Sequence, residues 1–210
     1  MTHAHHFVPC VRPRQLGYTM LLCVGLQSCV TGSALMKQLA HPSPRPSAFV
    51  VCHGYGCAHS SRTQLSADEW QEAIAPFSPE PDSAERERMA VAVAVARLET
   101  IAGRHVGTNV DLPEASWFAH DKHQLDCLDE ALNTTTYLSL LEQAGLLRWH
   151  RVAKPAHRGY YINGWPHNTA VLAEQQTRAQ YAVDSYYGDS GEPPAIVPLQ
   201  RWLAGWTPAR

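Results

Sequence analysis

Three residues of types found in nucleophilic active sites, Cys127, His167 and Asp184, follow one another along the second half of the chain. The capping residue Asp126 and the hydrophobic spacing after it predict a helix that begins at the cysteine. At a helix start the unpaired backbone N–H groups and the helix dipole favour the thiolate, which is the nucleophilic form. A histidine can act as base for such a thiol, and a carboxylate can orient the histidine. These residues therefore predict a Cys-His-Asp site for acyl transfer.

The spacing of His167 and Asp184 indicates that their side chains meet. They lie on consecutive predicted strands, 166–173 and 178–186. A hairpin closed by the four-residue loop 174–177 would set the two residues directly opposite each other on one face of the sheet. A slip of one residue would send one of the side chains to the other face.

The segments around the three residues resemble the transglutaminase-like branch of the papain-like cysteine hydrolase superfamily, in which a cysteine opens a helix and a histidine and an aspartate follow on consecutive strands. The matching segments are Asp126-Cys127-Leu128-Asp129-Glu130, Trp165-Pro166-His167-Asn168-Thr169 and Tyr181-Ala182-Val183-Asp184-Ser185. The resemblance covers residues 115–190. It implies an α+β fold with the cysteine-bearing helix packed on the sheet. It also implies acyl-transfer chemistry on amide bonds, as a peptidase, amidase or transglutaminase.

Two features around the cysteine depart from that family. Asp126 stands where the family usually has a small or glycine-rich turn, and its negative charge opposes thiolate formation. The group that would stabilise an oxyanion is not evident from the sequence. The backbone N–H of Cys127 is one candidate, and Gln124 and Trp117 are side-chain candidates.

The order of sequence patterns also predicts an α+β fold, with helices followed by an antiparallel sheet. A short strand is expected over 49–51, and a capping box begins at Ser66. A second helix is expected over 85–102 with Gly103 as its stop, and the cysteine-bearing helix is expected to end at Gly145. After this glycine the pattern alternates, which predicts a strand over 147–152 before the two described above. A tryptophan pair near the C-terminus predicts a short final helix.

The N-terminal region has the pattern of a secretory signal peptide. Residues 1–28 carry arginines but no acidic residue, and an apolar run extends from Leu16 to Leu26. Leu26-Gln27-Ser28-Cys29 resembles the bacterial lipobox, which predicts lipidation at Cys29, a tether over 29–48 and a single domain over 49–210. We therefore expect a lipid-anchored protein of the bacterial cell envelope, facing the periplasm or exterior. Cleavage without lipid and a buried core helix are the alternatives.

Two further cysteines, Cys52 and Cys57, lie close enough in sequence to pair through a tight loop. Export favours a disulfide between them, which would leave Cys127 as the free thiol. Residues 52–59 also contain two histidines, so a zinc-type metal site is the alternative. We expect the disulfide, and no metal or cofactor.

Composition and charge argue against a disordered chain and against a nucleic-acid-binding protein. The chain has 210 residues, of which 45% are hydrophobic and 17% charged, as in globular proteins. A net charge of −2 does not fit a nucleic-acid-binding protein dominated by phosphate contacts. The remaining hypotheses are a cysteine hydrolase or acyltransferase acting on a peptide or protein amide, a non-catalytic envelope lipoprotein of the same fold, and a metal-binding protein.

We interpret two polar patterns as surface features. Asn133-Thr134-Thr135 matches a glycosylation sequon within the predicted cysteine-bearing helix, and it suggests the exposed side of that helix. Arg148, His150 and Arg151 form a small basic cluster near the first predicted strand, which suggests a solvated face.

Overall fold

The computed structural model describes residues 43–115, 121–159 and 166–209. The predicted signal peptide, the predicted lipidation site Cys29 and the first part of the predicted tether lie outside these ranges. Across the described ranges, no helix is both long and apolar enough to cross a lipid bilayer.

The described chain forms a hairpin, then helices, then an antiparallel sheet. The hairpin consists of β1 (Phe49–His53) and β2 (His59–Thr63). The helices that follow are α1 (Ala67–Ile74), which continues into a 3-10 turn (Ala75–Phe77), α2 (Ala84–Val106) and α3 (Cys127–Gln143). The sheet has the order β3 (His150–Arg158), β4 (His167–Glu174), β5 (Gln180–Asp184), β6 (Ala195–Pro198), and a short helix α4 (Leu199–Leu203) follows it. The predicted α+β class is confirmed, whereas β2 and β6 were not predicted.

The helices begin where their capping residues predict. Ser66 and Asp126 each form a complete capping box. The side chain of the capping residue accepts the backbone N–H of the third helical residue, and the side chain of that third residue accepts the backbone N–H of the capping residue. The predicted end of α2 at Gly103 is wrong, since the helix continues to Val106 and ends at Gly107 with φ 87°. Gly103 is buried within the helix, where a Cβ would lie 3.0 Å from the backbone nitrogen of Asn109. This glycine is therefore a packing residue rather than a stop.

The sheet is buried on both faces. On one face, Ala170, Leu172 and Val183 join the main core with residues of α2 and α3. On the other face, Val171 and Ala182 pack with Leu199 and Trp202 in a smaller cluster. Because successive side chains of a strand point to opposite faces, each residue of β4 and β5 can be assigned to the α3 face or to the Trp202 face.

The β4–β5 hairpin differs from prediction by two residues. Ala170 pairs with Val183, and the turn residues lie at 175–178, one position later than expected, with Arg178 at φ 61°. His167 and Asp184 are therefore not directly opposite each other. They still share a face, since a shift of two residues preserves the face of every side chain.

Both polar patterns interpreted as surface features contain buried residues. The Asn133 side chain is 3% exposed, and it accepts from the backbone N–H of Cys52 at 2.7 Å and donates to the backbone oxygen of Cys52 at 2.8 Å. It therefore joins α3 to β1. His150 is fully buried, and its Nδ1 lies 2.9 Å from Glu87 Oε1. The solvated-face interpretation is wrong for His150, because β3 enters the sheet at this residue.

Candidate active site

Cys127 is the first residue of α3, as predicted. Asp126 Oδ1 accepts the backbone N–H groups of Leu128 and Asp129 at 3.0 and 2.9 Å, and Asp129 Oδ2 accepts the N–H of Asp126 at 3.2 Å. The reciprocal bonds fix the direction in which the chain enters the helix. The cysteine side chain is held at a defined start rather than at a frayed end.

The predicted Cys52–Cys57 disulfide is present in the hairpin that precedes the helices. Two sulfurs joined in a disulfide cannot serve as thiolate ligands, so the zinc-type alternative for residues 52–59 loses half of its ligands. No cluster of three or more metal-ligating side chains occurs in the described part of the chain. Among the described cysteines, Cys127 is the one with a free thiol.

The disulfide loop is hydrogen-bonded to the start of α3. Gly54, Tyr55, Gly56 and Cys57 all have positive φ, between 56° and 77°. Consecutive N–H groups of such a turn form a concave anion-binding surface. Here the N–H groups of Tyr55 and Cys57 donate to the Asp129 carboxylate at 2.8 and 2.6 Å, and that of Gly56 donates to Asp126 at 2.9 Å. The loop therefore positions the two carboxylates that flank Cys127.

The electrostatic surroundings of Cys127 do not favour a thiolate. Burial and the neighbouring Asp126 charge raise the pKa of the Cys127 thiol to about 11, and the charge of Asp184 acts in the same direction. Hydrogen bonds from the side chain and backbone of Asn168 act in the opposite direction. The expectation that the helix start lowers this pKa is therefore wrong. Desolvation of the sulfur and the acidic capping residue outweigh the helix N-terminus.

The sulfur of Cys127 lies at the open edge of β4. Its hydrogen-bonding contacts are Asn168 Nδ2 at 3.6 Å and the Pro166 oxygen at 4.0 Å, in addition to the Asn168 backbone N–H. Glu174 donates its N–H to the oxygen of Ala179, the residue before β5, so even-numbered residues of β4 direct their backbone groups toward β5. Since β5 pairs with β4 only over Ala170–Ala173, the thiol occupies the position that a longer β5 would take.

His167 and Asp184 form the predicted pair. His167 Nε2 lies 2.8 Å from Asp184 Oδ2, and both residues are buried. The same carboxylate accepts the indole N–H of Trp202 at 2.6 Å and the backbone N–H of Tyr186 at 3.3 Å. The imidazole packs against Tyr186, Tyr187 and Trp202, with ring centroids 5.0 to 5.4 Å apart. The carboxylate is thus fixed by several donors and in turn fixes the ring.

The structure brings the cysteine to the backbone on either side of His167. His167 and Asp184 contact Trp202 and lie on the Trp202 face, whereas Asn168 lies on the α3 face. The sulfur contacts Pro166 and Asn168 at the sheet edge between these faces, and none of its described hydrogen bonds is to His167. A thiol, a histidine–carboxylate pair and an open strand edge thus meet at one end of β4.

Of the two side-chain candidates for an oxyanion donor, Gln124 lies in the described part of the chain. Gln124 is a structural residue, because its Nε2 donates to the Val110 oxygen at 2.9 Å and its Oε1 accepts from Leu112 at 3.0 Å. It braces the loop after α2, so its prediction as a donor is wrong. Trp117 lies outside the described residues. The Cys127 backbone N–H has no acceptor among the described residues, as expected for the first residue of a helix.

Sequence reasoning missed two residues of this site. Asn168 donates to the thiol, and its only sequence signal is its position directly after the predicted histidine. Trp202 holds Asp184, and its predicted role was limited to docking the last helix. Both contacts depend on how α3 and α4 pack on opposite faces of one sheet.

Comparisons with protein-family models, with curated proteins and with solved structures found no match for this chain. The functional argument therefore depends on the residues and geometry described above.

Proposed function

We propose that this protein is a thiol-dependent acyl-transfer enzyme that acts on amide bonds, with Cys127 as nucleophile, His167 as base and Asp184 as the group that orients the imidazole. The observation that carries the proposal is the buried His167–Asp184 pair at 2.8 Å, beside a thiol that contacts the backbone on both sides of the histidine. The resemblance to transglutaminase-like cysteine hydrolases points to the same chemistry.

The proposed reaction begins from a neutral thiol, because the pKa of Cys127 is raised to about 11. Asp184 binds Nε2 of His167, so Nδ1 is the nitrogen that takes the thiol proton. As the sulfur bonds to the amide carbon, that proton passes to Nδ1, and His167 then gives it to the leaving nitrogen as the C–N bond breaks. Water or an amine then attacks the thioester, which gives hydrolysis or transamidation and restores the thiol.

The first helical N–H groups of α3 supply the stabilisation that a tetrahedral intermediate requires. The backbone N–H of Cys127 lies at the positive end of the helix dipole, next to the reacting sulfur. An oxyanion formed at the attacked carbonyl would accept a hydrogen bond from this N–H. Asp126 opposes negative charge here, but its carboxylate already accepts the N–H groups of Leu128, Asp129 and Gly56.

A second candidate function, a non-catalytic envelope protein with the same fold, is favoured by the contacts of the sulfur. The thiol bonds to Asn168 rather than to His167, and burial raises the thiol pKa. In this second function the His167–Asp184 pair stabilises the packing of α4, and the protein acts by binding or scaffolding.

The experiment that separates the two candidates is capture of an acyl-enzyme. The purified protein is incubated with an activated acyl donor, such as a 4-nitrophenyl ester, and the acylated residue is identified by mass spectrometry of peptides. We expect acylation at Cys127, none in Cys127→Ser, a large loss in His167→Ala and a smaller loss in Asp184→Asn. His105→Ala, which changes an exposed histidine of α2, serves as the matched control. Equal acylation of His167→Ala and wild type would favour the non-catalytic function.

We also propose that the enzyme is exported and held at a bacterial membrane through Cys29. A disulfide between Cys52 and Cys57 supports an oxidising location, since cytosolic proteins rarely retain such bonds. The proposed substrate is a peptide or protein amide outside the cytoplasm.

A further inference from the structure

Arg158 lies beside the proposed base. It is paired directly with His167 between β3 and β4, and the side chains of such partners share one face of the sheet with their Cβ atoms about 4.5–5.5 Å apart. The central carbon of the Arg158 guanidinium lies 4.3 Å from the centroid of the Trp202 ring, and the His167 ring contacts the same indole with centroids 5.4 Å apart. A positive charge is thus held next to the histidine, on its β3 side.

The guanidinium of Arg158 is held by neutral groups. Its Nη1 donates to the backbone oxygen of Trp202, and its Nη2 donates to the hydroxyl of Tyr187 at 3.0 Å. No carboxylate in the described part of the chain forms an ion pair with Arg158. Asp184, which lies on the same face, is instead bonded to His167 and to the Trp202 indole. The arginine is therefore fixed in position without an acidic partner among these residues.

The remaining donors of Arg158 suit a carboxylate ligand. A guanidinium carries five N–H groups, and the two described hydrogen bonds use two of them. The side chain is half-buried, and charge-assisted hydrogen bonds are strong in partly desolvated surroundings. The planar donors of an arginine match the two oxygens of a carboxylate, and stacking on Trp202 orients these donors before a ligand binds.

The position of the sulfur indicates which part of a substrate would reach Arg158. The Cys127 sulfur contacts the edge of β4 that faces β5, whereas Arg158 lies on β3, at the other side of β4. His167 lies on the strand between them, and in the proposed mechanism it gives its proton to the leaving nitrogen. Because the acyl carbon bonds to the sulfur, the amine part of the substrate is the part that extends past His167 toward Arg158.

We propose that Arg158 binds a carboxylate carried by the amine part of the substrate, so that the bond cleaved is the last amide bond of a peptide with a free C-terminus. When the C–N bond breaks, the nitrogen takes the proton from His167, and an amino acid leaves with its carboxylate on the guanidinium. In transamidation, a free amino acid would bind in the same way as the attacking amine. This inference rests on the proposed function, but its test measures carboxylate recognition and needs no turnover.

The test compares two probes that alkylate Cys127, bromoacetylglycine and its neutral amide bromoacetylglycinamide. In both reactions the sulfur bonds to the CH2 carbon and bromide leaves. Only the first probe carries a carboxylate one carbon beyond its amide nitrogen, as the last residue of a peptide does. The rates are measured at one fixed pH on the full-length protein and read at the Cys127 peptide. The ratio of the two rates is divided by the ratio for 2-mercaptoethanol, which gives the preference due to the protein.

We expect the wild type to prefer the carboxylate probe by about tenfold or more, as for hydrogen bonds to a charged group. Arg158→Met keeps an apolar side chain over Trp202 but removes the charge, and this preference should be lost. Arg151→Met, which changes an exposed arginine of the same strand, should keep the preference.

A purely structural role of Arg158 predicts a different result. If the arginine only braces α4 through the Trp202 oxygen, Arg158→Met should change the rates of both probes by the same factor and leave their ratio unchanged. That outcome would overturn the inference, as would a wild-type protein that does not discriminate between the probes.

A measurement on the wild type decides the matter if Arg158→Met fails to fold. Phenylglyoxal modifies accessible arginines, and its reaction at the Arg158 peptide should be slowed by N-acetylglycine but not by N-acetylglycinamide. Equal rates with both additives would contradict carboxylate binding at Arg158.

The outcomes also separate this inference from the proposed function. Acyl-enzyme formation at Cys127 without discrimination between the two probes would overturn the inference alone. A preference for the carboxylate probe that depends on Arg158, without acyl-enzyme formation, would support the carboxylate site and overturn the proposed function.

Discussion

The indole N–H of Trp202 donates to Asp184 Oδ2, the same oxygen that lies 2.8 Å from His167 Nε2. Trp202 is fully buried, and the Arg158 guanidinium lies over its ring at 4.3 Å. The Oδ2 atom therefore lies between two donors, in a side chain that is buried. Helix α4 contributes to the histidine–carboxylate pair through this one side chain.

Replacement of Trp202 by phenylalanine should destabilise the protein and loosen the pair. Phenylalanine keeps an aromatic ring in the cluster but removes a hydrogen bond to a charged group, which is worth about 1.5–3 kcal/mol. We expect the free energy of unfolding in urea to fall by about this amount. Trp206→Phe, which changes a half-buried tryptophan beyond α4, is the control. A Trp202→Phe protein as stable as Trp206→Phe would show that the indole N–H contributes nothing.

Removal of the disulfide should destabilise the start of α3 along with the hairpin. A cross-link over such a short loop contributes about 2 kcal/mol through the unfolded state. We expect Cys52→Ser to lower the free energy of unfolding by at least this amount, because the loop N–H groups that bind Asp126 and Asp129 also become less ordered. Hydrogen exchange at residues 128–131 should rise in the variant. Unchanged exchange there would contradict the coupling.

Thiol mapping provides a direct check of cysteine chemistry. Under denaturing, non-reducing conditions, Cys127 should be alkylated while Cys52 and Cys57 are protected. After reduction all three should label. Labelling of all three without a reductant would contradict the disulfide.

Stability should decrease as the pH rises from about 4 toward 7. Burial raises the pKa of Asp111 to about 7, and burial also raises the pKa values of Glu99, Asp129 and Glu130. In this window the unfolded chain has lost these protons while the folded protein retains them, so each rise in pH favours unfolding. For Asp111 alone the loss is on the order of 4 kcal/mol.

The measurement is the free energy of unfolding at pH 5 and pH 7.5 in wild type and Asp111→Asn. The asparagine can still accept the Leu125 N–H, which Asp111 Oδ1 accepts at 2.6 Å, but it cannot ionise. We expect a smaller difference between the two pH values in this variant, whereas Asp68→Asn, at an exposed position of α1, should behave as wild type. Greater stability of the wild type at pH 7.5 than at pH 5 would contradict the prediction.

N-terminal processing is tested on the native protein. We expect the intact mass to correspond to a chain that begins at a lipid-modified Cys29, and we expect Cys29→Ser to lose membrane association. An unmodified chain that starts at Met1 would contradict both expectations. Cleavage at another site with no lipid would support the export signal alone.

Features governed by local chemistry were predictable from the sequence. Ser66 and Asp126 begin helices because their side chains satisfy nearby backbone N–H groups, and the neighbouring residues complete each cap. Cys52 and Cys57 pair because six residues of chain limit their separation. The common face of His167 and Asp184 was predicted correctly because the register differs from the prediction by an even number of residues.

Features governed by packing between distant elements were not predictable. The stop expected at Gly103 failed because Asn109 packs against this glycine, which the local pattern does not reveal. The register differed by two residues because the four-residue turn lies at 175–178, one position later than expected, with Arg178 at φ 61°. The thiol pKa was misjudged because burial of the sulfur depends on how α3 meets β4.

Because β5 pairs with β4 only over Ala170–Ala173, the preceding residues of β4 can be covered either by a longer strand or by a side chain. The N–H of Asn168 and the oxygen of Pro166 would be unpaired edge groups, of the kind that attract a strand from another chain. The Cys127 sulfur covers them instead. One more residue pair in β5 would displace the sulfur, so a fully paired strand and a reactive thiol are mutually exclusive at this position. The extent of a single strand thus determines whether this edge of the sheet is inert or chemically active.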